Sequence, residues 1–558
     1  MDRFSVPVLF TDAKWEPKNI WTEHGDPVKR VLSAGWTKDP GRRPLPVDMI
    51  WEKDVRITMR DGTRLLGDVF RPIDSDECPV PAIMPWSPFG KTGTGPLGLD
   101  MLPWRIGIPR NRTSGLEKWE APDPAEWISR GYAVVNIDAR GTFKSEGDIF
   151  IYGTQEGRDG HDSIEWIGEQ AWCNGAVTMA GNSWLGTTQW FIAAEQPAHL
   201  RCENKREDVS AMVEKYPLWN DYWDDKKPQL HKITVPMYAT ISYSTGLHTE
   251  GSFRGFYLSS SKEKWLRWTF TQEWHDIYQP DRIDDLQRFF DKYMKGVDNG
   301  WEQTPRVRLS LLGYNRPSVV DRPIDAYPPR NFQYRSLYLD AASSSLQDRC
   351  LSSASTGSYS ASTKDHVGCT FSYTFDKYTE LCGFSRVKLF MSAKGADDMD
   401  VCVVIRKLDA AGEALYHHNI PFEDLPPDAT TETVPHENVW KYVGPSGRLR
   451  ASNRAVGEEN FPGMTKEQYK AFMSDAYLFH PFDDHRKLAE DEVVELDIGL
   501  WPGGIIFDAG ESMRLEVMGR RPILPEFTFL EDENRNTGTH TVHTGGEHAS
   551  YLYVSLAQ

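Results

Sequence analysis

Two architectures in series are predicted by this chain: a doubly wound α/β domain over residues 51–300, then an all-β sandwich over residues 301–558. Three observations carry that prediction. Short apolar runs, Ala82-Ile83-Met84 and Tyr132 to Asp138, end in polar, glycine-bearing loops, as buried parallel strands do. The run Gly175 to Ala180 passes through Gly181-Asn182 into Ser183 and a helix-compatible segment, so a strand turns sharply into a helix there. Beyond residue 300 the pattern changes to short alternating strands, with Val494, Leu496 and Ile498 set against Glu495 and Asp497.

The elements follow in order. Residues 1–50 carry Pro, Trp and charge without a sustained period and read as an arm over the first domain. Val55 to Arg71 alternates around Asp61-Gly62, a hairpin. Glu156 and Asp159 place acid near the start of a helix through Ile164 and Ile167, where negative charge suits the N-terminus. The Ser183 strand comes next, followed by a helix to about Glu195 and a reduced, Trp-rich cap over about 196–233. Val235 to Ser242 and Trp265 to Thr269 are further strands, the second leading to Trp274-His275. Ile283, Leu286, Phe290 and Met294 then mark a helix stopped by Gly296. In the second domain, strands are expected at Val307 to Leu312, Ser385 to Met391, Val401 to Ile405, Val493 to Leu500 and Met513 to Met518. Thr465-Lys466-Glu467-Gln468 reads as a capping box opening one short helix.

Composition narrows the function. The 558 residues hold 63 Lys plus Arg against 81 Asp plus Glu, a net charge of -18 that argues against nucleic acid or an anionic membrane as the main partner. No apolar run reaches the roughly 20 residues that span a bilayer, and Met1 to Lys14 has no basic start before an apolar core, so the expectation is a soluble, cytoplasmic protein. The seven cysteines are scattered without paired metal spacing and are expected to be reduced. His540 and His543, and the Asp397, Asp398, Asp400 group, read as structural, so neither metal nor cofactor is expected. Asp138 and Arg140 are expected to brace the sheet end as an ion pair.

Ser183 is the candidate nucleophile, and small residues beside it suit a turn too tight for bulk. The second glycine of the usual Gly-x-Ser-x-Gly pattern is displaced: Leu185 stands there, and Gly186 follows. A serine nucleophile needs a base downstream and an acid to orient it. Among His199, His231, His248 and His275, the last is favoured because it follows the final strand, with His248 second. Glu250 is the nearest carboxylate for the orienting role, and Ser244 or Thr245 is the alternative as a neutral acceptor.

Taken together, Asp138-Ala139-Arg140-Gly141, Glu156 to Gly160, Trp166, Asn174-Gly175, Gly181 to Gly186, Trp274-His275 and Arg288 to Asp291 resemble the cocaine-esterase-like (CocE/NonD) hydrolases related to X-Pro dipeptidyl peptidases. The resemblance continues through Ser385 to Leu389, Gly395 to Val401, Leu500-Trp501-Pro502 and Gly538 to Gly546, and covers roughly residue 50 to the end. It implies an α/β-hydrolase domain with a helical cap and a C-terminal, galactose-binding-like jelly roll. It also implies Ser183 as nucleophile, the Trp184 N–H as an oxyanion donor and His275 as base. The family's acid falls near Ser244 or Thr245, and its second oxyanion donor, a tyrosine hydroxyl, falls at Phe89. The cap is shorter than the family's, which implies a more open site. The expected function is a serine hydrolase that cleaves an ester or amide of a small, apolar or aromatic molecule. Acyl transfer, cyclisation, dimerisation or C–C cleavage by the same Ser and His is the alternative. A homodimer is the one protein assembly left open.

Overall fold

The computed structural model describes residues 4–12, 26–195, 205–244, 247–362, 368–457, 478–521, 524–525 and 534–558. The first sheet begins with an edge strand, β1 (Val28–Leu32), drawn from the segment expected to be an arm. It pairs with β2 (Met49–Thr58), which turns into β3 (Arg64–Pro72) where Gly62, at φ 83°, donates its N–H to Met59 O. A positive φ is cheap for glycine, so the hairpin forms at the Asp-Gly pair. With β4 (Val80–Ile83), β5 (Ala133–Asp138) and β6 (Cys173–Thr178) the order is β1-β2-β3-β5-β4-β6, parallel from β5 onward. Every residue of β5 is buried, as an apolar central strand requires.

One helix lies against β6 and a second packs on that helix. In α1 (Thr154–Gly168), a Cβ on Gly160 would lie 2.1 Å from Ile192 of α2 (Trp184–Ala194), and one on Gly157 would lie 3.1 Å from Phe191 O. The glycines therefore let α2 approach α1 closely and fix where Ser183 emerges.

A second sheet holds β7 (Met237–Ser242), β8 (Lys264–Thr269), β9 (Val307–Leu311) and β10 (Val319–Ile324), parallel through β9. Thus β9 and β10, which the sequence reading assigns to the second domain, extend the sheet of the first. Leu309 and Leu311 pack in one core with Leu266 and Trp268, and this tertiary contact outweighs the change of texture near residue 300. No ladder joins β6 to β7 among the described residues, so the α/β domain is built from two sheets rather than the single one expected. Helix α3 (Thr249–Leu258) follows β7, and α4 (Glu273–Asp276) and α5 (Pro280–Lys295) follow β8. In α5, Pro280 sits in the first turn and Gly296 closes the end at φ 67°. The cap region contributes Lys205–Glu207, paired with Phe10–Asp12, and the short helices Val209–Lys215 and Asp221–Asp225.

The C-terminal region is a sheet-rich β domain with Leu389, Val403, Leu496, Leu515 and Leu552 in its core. Its strand Val494–Phe507 has the alternation read from the sequence: Val494, Leu496, Ile498 and Leu500 are buried and Glu495 is exposed. The helix expected at Thr465 lies outside the described residues. His540 Nδ1 lies 3.2 Å from Tyr359 Oη and His543 Nε2 2.9 Å from Ser392 Oγ, while Asp398 binds Ser452 and Asp400 binds Arg450. Arg140 does not pair with Asp138 as expected. It binds Asp159 (2.6 Å) and Asp61 (2.9 Å), and burial pushes the Asp138 carboxyl up to about 8 despite the fields of Lys91 and Lys118. No helix of the described residues is long and apolar enough to cross a membrane.

Candidate active site

Ser183 stands between β6 and α2 at φ 55° and ψ −121°. A non-glycine residue rarely adopts such a conformation, and it persists only where the surroundings impose it. Here the neighbours do. Asn182 N–H is held by Glu120 O (3.1 Å), Leu185 N–H by Asn182 O (3.0 Å) and Thr187 N–H by Ser183 O (2.9 Å). Ser183 is the N-cap residue of α2, yet its side chain makes no capping hydrogen bond. A serine at that position ordinarily caps, whereas this Oγ is not spent on the helix end. The Trp184 N–H lies in the first turn of α2, where backbone donors lack helical partners and the helix dipole favours negative charge.

Gly181 explains the motif's irregular spacing. It has φ 146°, and a Cβ there would lie 2.5 Å from Leu185 Cβ, whereas a Cβ on Gly186 would meet only Gly181 O at 3.5 Å. Leu185 takes the place of the usual second glycine and locks the first. Gly181→Ala is therefore expected to destabilise the protein by about 1–3 kcal/mol, through overpacking and backbone strain. Gly186→Ala is expected to be tolerated. Thermal melting reads both.

Ser183 opens onto a cavity of about 1250 Å³ that reaches between β6 and β7 and down to α5. Val177, Met179, Ile241, Leu286, Phe289 and Met294 make the deep wall apolar. Its polar wall carries Glu120, His248 and Glu273. His248 precedes α3, and its Nδ1 lies 3.3 Å from Glu273 Oε1 on α4, a carboxylate–imidazole pair.

The other expected residues lie as follows. His275 is buried, with Nε2 2.8 Å from Asp424 Oδ2 of the C-terminal region and 2.8 Å from Gln279 Nε2, and no hydrogen bond joins it to Ser183 among the described residues. Burial, partly opposed by Asp424, lowers its pKa. Glu250 binds Arg254 one turn along α3 (2.7 Å). Ser244 Oγ is taken by Ser242 Oγ (2.8 Å), and Thr245 lies outside the described residues. The Phe89 ring packs edge-on against Trp184, centroids 6.0 Å apart, and offers no hydroxyl. Trp184 Nε1 in turn binds Glu156 Oε1 (2.8 Å), and burial pushes that carboxyl up to about 7.

Glu120 and Glu273 escaped the sequence reading. A signal for Glu273 existed. On a helix, residues three apart share a face while residues two apart are turned by about 200°, so if Glu273 and Asp276 face the cavity, His275 faces away. No local signal marks Glu120, whose place depends on Asn182 and Trp274, distant in sequence. No group of three His, Cys, Asp or Glu among the described residues is arranged to hold a metal ion.

Comparison with known proteins agrees with this architecture. Residues 61–216 match the model of the X-Pro dipeptidyl-peptidase (S15) family, and residues 299–553 that of the X-Pro dipeptidyl-peptidase C-terminal non-catalytic domain. Cocaine esterase from Rhodococcus sp. (strain MB1 Bresler) is 39% identical over 286 residues, which are 51% of this chain and 40% of that protein, so the chain spans well under two thirds of this relative's length. The crystal structure of a CocE/NonD family hydrolase from Staphylococcus aureus superimposes with a TM-score of 0.80 at 28% identity, over 97% of this chain and 99% of that one. An aminopeptidase from a marine-sediment Thaumarchaeota archaeon shares the fold (TM-score 0.58, 14% identity, 99% of both chains).

Proposed function

Because the chain belongs to the cocaine-esterase-like (CocE/NonD) family related to X-Pro dipeptidyl peptidases, we propose that it is a serine hydrolase of esters or amides with an apolar or aromatic acyl part. The observation that carries this reading is the uncapped Ser183 Oγ, held at positive φ over an apolar cavity. In this reading Ser183 Oγ attacks the substrate carbonyl carbon and gives its proton to His248, which Glu273 orients through Nδ1. The Trp184 N–H receives the developing oxyanion. The imidazolium passes the proton to the departing alcohol or amine, and water, deprotonated by the same imidazole, releases the acid. The wall formed by Val177, Ile241 and Phe289 takes the acyl group by burial. The C-terminal β domain is read as a jelly roll. His248 is preferred to His275 as base because it shares the cavity with Ser183.

A second reading, transfer of the acyl group to an acceptor other than water, is kept from the sequence, where Phe89 departs from the family's tyrosine and offers no hydroxyl beside Trp184. Product analysis in the presence of an added alcohol separates the two. The proposal itself is tested with a fluorophosphonate probe: one covalent adduct is expected, mapping to Ser183 and absent in Ser183→Ala. An unmodified wild-type protein overturns it.

A further inference from the structure

Glu120 joins the two halves of the proposed machinery. It sits in an irregular segment at φ 64°, a left-handed conformation rare for a glutamate, and is only 3% exposed. Its carbonyl oxygen accepts the Asn182 N–H (3.1 Å). Its Oε1 accepts from Asn182 Nδ2 (3.3 Å) and from Trp274 Nε1 (2.6 Å). Asn182 is the residue before Ser183, and Trp274 follows Glu273, whose carboxylate faces His248. One side chain therefore ties the strained turn of the nucleophile to the four-residue helix that orients the imidazole.

We infer that Glu120 is a positioning residue that sets the geometry between Ser183 and the His248–Glu273 pair by clamping Asn182 to Trp274, an inference that rests on the hydrolase reading of the site. Three features make it a clamp rather than a chance buried acid. Both ends of the link are held through the same oxygen, so neither can shift without breaking a bond to Oε1. The backbone at Glu120 is strained, which persists only where contacts over-determine it. The other oxygen, Oε2, is buried with no hydrogen-bond partner among the described residues, so the contacts of the carboxyl run through Oε1. Consistent with that, burial raises the group's pKa to about 7, against the lowering effects of the Trp274 bond and of His248.

The test uses kinetics of Glu120→Leu, Glu120→Gln, Trp274→Phe and the Leu–Phe double variant in the full chain. A misplacement of reacting groups by a fraction of an ångström lowers the chemical step, so Glu120→Leu is expected to lose about 100-fold in kcat with KM changed by less than about twofold. Glu120→Gln keeps an oxygen at Oε1 and is expected to recover most of that loss. Trp274→Phe, which removes the donor, should lower kcat, and adding it to Glu120→Leu should cost little more. Melting temperatures close to wild type exclude simple unfolding. Wild-type kcat in Glu120→Leu, a loss that follows melting temperature, or fully additive effects overturn the inference. If the wild type neither takes the fluorophosphonate label nor hydrolyses any ester, the reading of Ser183 falls separately. Hydrogen exchange then decides on the clamp: faster exchange in residues 180–190 and 272–278 of Glu120→Leu supports it, and unchanged exchange overturns it.

Discussion

Alanine in place of Ser183 is expected to lower kcat/KM for an activated ester by about 10⁴-fold or more while leaving the melting temperature unchanged. Both halves follow from the turn. Oγ makes no capping bond, so its removal leaves no hydrogen-bond partner of the α2 N-terminus unsatisfied. Alanine carries the same Cβ as serine, so the cost of φ 55° is the same for both. What disappears is the proposed nucleophile. The Trp184 N–H and the apolar cavity persist, and with them a residual acceleration over water from binding and oxyanion stabilisation. Steady-state kinetics with a p-nitrophenyl ester, run beside a thermal melt, measure both. A Ser183→Ala protein that keeps wild-type turnover would place the chemistry elsewhere.

The second large effect concerns the base. His248→Ala is expected to cost about 10³-fold or more in kcat/KM, because Ser183 then loses the imidazole proposed to take its proton and Glu273 the group it orients. His275→Ala is expected to behave differently. It leaves Asp424 and Gln279 without their shared partner and opens a void beside Gly107, so it should cost about 1–3 kcal/mol of stability and affect activity less than His248→Ala. The fluorophosphonate labelling rate discriminates most directly, since it reports activation of the serine in a single step. Near-normal labelling of His248→Ala with loss in His275→Ala would reverse the assignment.

How far the chain could be read before its structure depended on the range of the interactions involved. The Asp61-Gly62 hairpin, the Gly296 helix stop and the alternation at Val494 to Leu500 are dictated by backbone freedom or by a two-residue period, and each was legible. The tight turn at Ser183 belongs with them in part: Gly181 and Leu185, which shape it, lie within six residues, whereas the Glu120 contacts that hold Asn182 were not legible. The edge strand Val28–Leu32, the placement of β9 and β10 in one sheet with β7 and β8, and the separation of β6 from β7 were not legible. An apolar strand of five residues fits equally well in either of two neighbouring cores, and only side-chain packing against Leu266 and Trp268 decides between them.

The site divides along the same line. Sequence alone determined that an α/β domain precedes a β domain, and that a serine stands at the tip of a strand-to-helix turn. Local sterics and periodicity leave few other solutions. Only the tertiary structure decided that His248 faces the cavity with Ser183 while His275 turns toward Asp424, and that Glu120 spans Asn182 and Trp274. Those relations join residues between about 60 and 150 positions apart, and their existence depends on distances of a few ångströms that no pattern along the chain encodes.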